Sequence, residues 1–384
     1  MSTIGIAIGA TGLALILVFV WMLSLSIRKK RLEEERKQRE IAYRKALEKN
    51  RQKEREERLM KAESGHIPTI LYLAKEAERK NVKEALYWYN KAAELNNVTG
   101  MYGIVRISQR MREDVVLKEK ARFWQLAINA SEGQVSAKYE VALAYFHGRG
   151  IEKNIVKALE TMQSAANEGF INAILFLGDW CQSPDNFDRK PEDAIYWYRK
   201  AAELNSSTGR MKLGLCYLEG KGIASDHSKA CYWLERAAEQ GNNEAMYHAA
   251  QAWIDRGSSG NAVAYIWAFL SAHFGYELAK ALRDQVGSNI GVDSVVGLQA
   301  LAKPMVKKIT AGTVSKHSII KALNKLYKRG VYIPAKGEVA EAELEEAPPE
   351  VAIDEEAPAN PPEQPVQTDG LEKLDFSHSS FNKS

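Results

Sequence analysis

Tryptophan returns along this chain at an almost constant interval, and few folds accommodate that. Trp88, Trp124, Trp197, Trp233 and Trp267 each stand three residues after an alanine, in EALYWYNKAAELN, KARFWQLAINA, DAIYWYRKAAELN, KACYWLERAAEQG and NAVAYIWAFLSAHFG. Thr161 fills the slot between 124 and 197, so the successive spacings are 36, 37, 36, 36 and 34 residues. Five of the eight tryptophans thus share one structural address. Self-similarity at such a period marks stacked supersecondary units rather than one globular core. A second pattern precedes the tryptophan helix, clearest in AKYEVALAYFHGRG from residue 137, AILFLGDWCQSPDN from 173, GRMKLGLCYLEGKG from 209 and AMYHAAQAWIDRGS from 245. Ala137, Ala173, Gly209 and Ala245 are small, as are Ala142, Gly178, Gly214 and Ala250 five positions on. Small side chains at fixed register allow close helix approach, and the glycines at 148, 150, 220 and 222 break the helix at a turn.

A single helix pair cannot bury its apolar face alone, so stacking is obligatory. The expected fold is all-α: a right-handed superhelical solenoid of about six helix-turn-helix repeats over residues 65–277, with Trp88, Trp124, Trp197, Trp233 and Trp267 as its structural core. A buried tryptophan removes about 150–250 Å² from water, about 4–6 kcal/mol as an upper estimate.

Residues 207–242, STGRMKLGLCYLEGKGIASDHSKACYWLERAAEQGN, resemble the Sel-one-like repeat, a relative of the tetratricopeptide repeat, almost throughout. That family's pattern is a Leu-Gly-x-x-Tyr stretch, a Gly-x-Gly turn and a Lys-Ala-x-x-Trp helix closed by Ala-Ala. The resemblance implies a protein-binding solenoid without catalysis, and residues 278–335 look like the capping helices that close such arrays. Departures are Thr161, the missing Gly-x-Gly in the first two units, and SPDNFDRKP in the fourth.

The flanks obey different physics. Residues 4–27 carry no charge and would reach about 36 Å as a helix against a hydrocarbon core of about 30 Å, so a transmembrane helix is expected. Arg28, Lys29, Lys30 and Arg31 follow directly, which by the positive-inside rule places the repeats in the cytoplasm, at a single-pass inner membrane. The uncleaved reading is favoured over a signal peptide because the run is long and no basic residue precedes it. Gly5 and Gly9 have the spacing that lets spanning helices self-associate weakly. Residues 28–63 lack Pro and Gly and carry acid-before-base pairs such as Glu40/Arg44 and Glu54/Arg58, so a charged helical spacer about 54 Å long is expected. Its interleaved acids argue against nucleic-acid binding. Residues 336–384 are rich in Ala, Glu and Pro, cannot offset ordering entropy, and are expected to form a disordered acidic tail.

No chemistry-bearing constellation accompanies the repeat. The seven histidines form no ligand spacing, Cys181, Cys216 and Cys231 form no CxxC pair, and the Gly-x-Gly turns lack the rest of a phosphate loop. No metal, no cofactor and no enzymatic activity are expected. Positions that differ between units at one register serve as better pointers to function. One register holds Glu140, Phe176, Lys212 and His248; another, three residues on, holds Leu143, Asp179, Leu215 and Gln251. If the first helices line a groove, Glu140, Phe176, Asp179, Lys212, His248 and Gln251 face a protein partner. The expected function is a membrane-anchored cytoplasmic adaptor; the alternative is an exported periplasmic repeat protein supporting envelope or polysaccharide assembly.

Overall fold

The computed structural model describes residues 3–111 and 113–334, with side chains from residue 16 onward. The expected tail at 336–384 lies outside the described residues. Among those described, all regular structure is helical. A long helix α1 (Thr3–Glu63) precedes six hairpins: α2/α3 (Ile67–Ala77, Val82–Glu94), α4/α5 (Val98–Arg110, Val115–Ser131), α6/α7 (Val135–His147, Ile155–Asn167), α8/α9 (Ile171–Gln182, Pro191–Glu203), α10/α11 (Ser207–Glu219, His227–Ala238) and α12/α13 (Asn243–Trp253, Gly257–His273). Three further helices follow, α14 (Leu278–Ile290), α15 (Val292–Thr310) and α16 (Ser318–Tyr327). Each helix packs on the next through the hairpins, which makes an all-helical solenoid.

Local chemistry sets the helix starts. Asn81, Asn97, Asp114, Asn154, Asp226 and Asn242 each accept the backbone N–H three residues on, at 2.8–3.3 Å. These bonds satisfy amides that the helix itself leaves without partners. The Gly-x-Gly turns end α6 and α10, with Gly148 and Gly220 in the left-handed region at φ 72° and 70°. Their second glycines have another duty. A Cβ at Gly150 would fall 2.3 Å from the Glu119 carbonyl oxygen, and one at Gly222 would fall 2.1 Å from that of Pro191. The turn therefore rests on the first turn of the preceding unit's second helix, and only glycine allows that approach.

The small register does the same along the helices. An added Cβ at Gly100 or Gly209 would meet Ala92 Cβ at 2.7 Å or Ala201 Cβ at 2.6 Å, and one at Gly178 would meet the Tyr198 ring at 2.5 Å. Ala142, Ala173, Ala245 and Ala250 are fully buried beside them. Of the tryptophan series, Trp88, Trp124, Trp197 and Trp267 are buried, while Trp233 is half-buried at the edge of the core.

The stretches 4–27 and 28–63 run as one uninterrupted helix, α1. Its last turns belong to the first hairpin: Ala62 is fully buried, Leu59 joins the core, and the Glu63 carboxylate accepts from Tyr87 at 3.0 Å and pairs with Lys91. Among the described residues no helix is long and apolar enough to cross a membrane. The side chains of residues 4–15, half of the uncharged run, lie outside the described residues. Those from Ile16 to Leu23 are all exposed and all apolar.

Candidate protein interface

The six side chains singled out on the first helices all reach solvent. Glu140 on α6 is exposed, Phe176 on α8 half-buried, Asp179 on α8 exposed, Lys212 on α10 half-buried, and on α12 His248 is half-buried and Gln251 exposed. The structure joins several of them. Lys212 Nζ lies 2.8 Å from Asp179 Oδ1, linking α10 to α8, and the Tyr198 hydroxyl donates to the same carboxylate oxygen at 2.7 Å. Burial of Tyr198, followed by that hydrogen bond, raises its pKa far above the ordinary phenol value. On α12, His248 Nδ1 and Gln251 Oε1 are 3.0 Å apart, and Gln251 Nε2 donates to the Tyr247 hydroxyl at 3.1 Å. Asp179 and Lys212 are thus one ion-paired feature, and His248 with Gln251 another; no contact joins Glu140 to either.

An aromatic cluster on α6 and α8 was not anticipated. Phe146 meets Phe176 edge-on at 5.2 Å and Trp180 at 5.3 Å, and all three rings are half-buried. Its sequence signals were Phe176, singled out at a variable register, and Trp180, which stands outside the tryptophan register. Arranged along the chain, the first helices offer a carboxylate on α6, aromatic rings on α6 and α8, a carboxylate–ammonium pair on α8 and α10, and a hydrogen-bonded histidine–glutamine pair on α12. Such alternation suits recognition of a polypeptide by several different side chains, with aromatic rings as anchors.

A buried polar network, also unanticipated, fastens the final helix. Arg329 forms a two-pronged pair with Glu235 at 2.5 and 3.0 Å, and both side chains are almost completely buried. Trp253 Nε1 donates to Glu235 at 2.7 Å, and the Arg329 guanidinium sits 4.7 Å from the Trp253 ring centre. Cation, ring and carboxylate therefore bind one another, with only the buried Arg329 Nε left without a hydrogen-bond partner in this network. No sequence signal marks a pair separated by 94 residues.

The chemistry available for catalysis is sparse. Burial pushes the Cys181 thiol up to about 12 and raises the Cys216 and Cys231 thiols too, which keeps all three protonated and poorly nucleophilic near neutrality. Among the described residues no three His, Cys, Asp or Glu side chains converge to hold a metal ion.

Stacked helical hairpins of this period define an all-helical repeat solenoid. More narrowly, the family model described as Sel1 repeat matches residues 76–97, 135–170, 171–206 and 208–242. The chain is 26% identical over 167 residues to the uncharacterized protein NMB1327 of Neisseria meningitidis serogroup B, a match covering 44% of this chain and 34% of that one. It is 30% identical over 171 residues to chitin synthase regulatory factor 3 of Schizosaccharomyces pombe, covering 43% of this chain and 18% of that one. The chain therefore spans only a minor part of the length of either relative. A solved Sel1 repeat protein from Oxalobacter formigenes aligns over 62% of this chain and 99% of its own, at 21% identity and a TM-score of 0.40.

Proposed function

We propose that this protein is a membrane-anchored adaptor whose Sel1 repeats bind a polypeptide partner through the exposed side of α6, α8, α10 and α12, without a reaction of its own. The observation that carries the reading is the contrast between registers on those helices. Positions 137, 142, 173, 178, 209, 214, 245 and 250 are all Ala or Gly and buried, whereas 140, 176, 212 and 248 hold Glu, Phe, Lys and His within reach of solvent. Stacking constrains the first set to be alike, whereas the second differs from unit to unit and keeps solvent-facing surface even where Phe176 packs on Phe146 and Lys212 pairs with Asp179. The regulatory name of the S. pombe relative accords with an adaptor rather than an enzyme.

The anchor rests on the uncharged run at 4–27 and on side chains from Ile16 to Leu23 that present apolar surface on every side of α1. A helix apolar all round needs either lipid or protein about it. Arg28, Lys29, Lys30 and Arg31 then set the repeats on the cytoplasmic side.

Two experiments test the two halves separately. Photocrosslinking residues placed at 140, 176 and 212 in intact cells are expected to trap one common polypeptide, and one placed at Arg189 on the α8–α9 loop is expected not to. Equal trapping at all four positions contradicts the interface. For the anchor, alkaline phosphatase fused after residue 336 is expected to be inactive and a fluorescent protein at the same site bright; the reverse pattern overturns the orientation.

A further inference from the structure

The tryptophan register has one vacancy, and the structure opens a cavity there. Thr161 on α7 takes the place that Trp124 holds on α5 and Trp197 on α9. Its hydroxyl donates to the Lys157 carbonyl oxygen of its own helix at 2.7 Å, so nothing polar from Thr161 fills the space an indole occupies elsewhere. Beside it lies a cavity of about 910 Å³ between α5 and α7. Its floor includes Trp124, Phe123, Met101 and Val141, all buried side chains. Its margin carries Glu94, Asn96, Glu160 and Lys157, the last with Nζ 6.0 Å from the Tyr145 ring centre.

The other repeats define what fits. At this address Trp197 and Trp267 are fully buried, so the stack closes around an indole. Neither ring nitrogen finds a hydrogen-bond partner there, nor does that of Trp88, so the address holds the ring by packing, with Lys200 Nζ 5.4 Å from the Trp197 ring centre and Lys91 Nζ 5.8 Å from that of Trp88. The cavity is also far larger than one side chain and has a polar margin, leaving room for main chain on either side of an inserted ring. We infer that the cleft between α5 and α7 receives a tryptophan carried on a partner polypeptide, which completes the register at Thr161. This goes beyond the interface on the first helices, since Thr161 and Trp124 lie on second helices, and either surface can fail without the other.

The test uses the full-length chain and three probes: acetyl-Gly-Trp-Gly-amide, the matching acetyl-Gly-Ala-Gly-amide, and free indole. The tryptophan peptide at millimolar concentration is expected to raise the melting temperature saturably and to show saturation transfer from the protein to its indole protons. The alanine peptide is expected to do neither. Thr161→Trp, which fills the slot from within, is expected to melt higher than the parent and to lose the response; Thr161→Leu, a gentler filling, is expected to weaken it at least several-fold. Absence of a response in the parent chain, an equal response to the alanine peptide, or an undiminished response in Thr161→Leu overturns the inference. A response to free indole without one to the peptide overturns its assignment to a polypeptide partner.

Discussion

Glu239, the residue that closes α11, is buried yet accepts three backbone N–H groups, from His317 at 3.0 Å, Ile319 at 2.8 Å and Ile320 at 3.2 Å, while Arg236 lies 3.2 Å from the same carboxylate. It supplies the cap that α16 cannot supply itself, because His317, at the cap position, is in the left-handed region at φ 63° and makes no capping bond. His317 Nε2 instead lies 3.2 Å from the Tyr232 hydroxyl, which donates to it when the imidazole is neutral. Burial, reinforced by Arg236, Lys316, Lys321 and Arg210, lowers the His317 pKa from 6.5 to about 4. Between those values the unfolded chain binds a proton that the folded one refuses, so the contribution of His317 is intact above about pH 6.5 and is lost as pH falls toward 4. The Glu239 carboxyl, held above its usual range chiefly by burial, acts in the opposite sense and gains stability as pH falls. We therefore predict that His317→Gln reduces the acid-induced drop in melting temperature between pH 7 and 4. Parallel curves for the two proteins would remove the titration argument.

For single elements, the glycines separate conformational cost from steric cost. Gly169 and Gly222 both have positive φ, 85° and 70°, but a Cβ at Gly169 meets nothing within 4 Å, whereas at Gly222 it collides with the Pro191 backbone. Gly169→Ala should cost about 1–2 kcal/mol, the left-handed penalty alone. Gly222→Ala should cost clearly more, since α9 or the turn must move; equal losses in chemical denaturation would contradict the close approach. A similar contrast holds for the tryptophans. Trp197→Ala is expected to cost about 3–5 kcal/mol, as for a fully buried large side chain, and Trp233→Ala less, because Trp233 keeps part of its ring in water. At Asp179 and Lys212 the ion pair is partly solvated, so its worth to the fold is small, about 0–1 kcal/mol. Reversing Lys212 alone nonetheless places two carboxylates together and also disturbs the Tyr198 contact, so such a variant reports on stacking as well as on partner binding.

At the level of the whole molecule, α16 returns to lie on α11, past the α12/α13 hairpin, α14 and α15, and the Glu235–Arg329 pair fastens it there. Removing one partner of a buried pair strands the other charge. Arg329→Met is therefore predicted to cost about 3–5 kcal/mol and to speed amide exchange in α16, whereas Glu235→Leu with Arg329→Met is predicted to recover most of that loss. A double variant as unstable as the single one would show that the pair itself, rather than the stranded carboxylate, matters. The repeat unit, its helix pairs, the small register and the tryptophan address were readable in one dimension, because each hairpin meets only its neighbours and so leaves a periodic trace. Neither the return of α16, nor the pairing of Asp179 with Lys212, nor the open cleft beside Thr161 has such a trace. Each arises where side chains about 33 to 94 positions apart meet, and distance along a chain is not distance in space; only the stacked helices decide which of them touch.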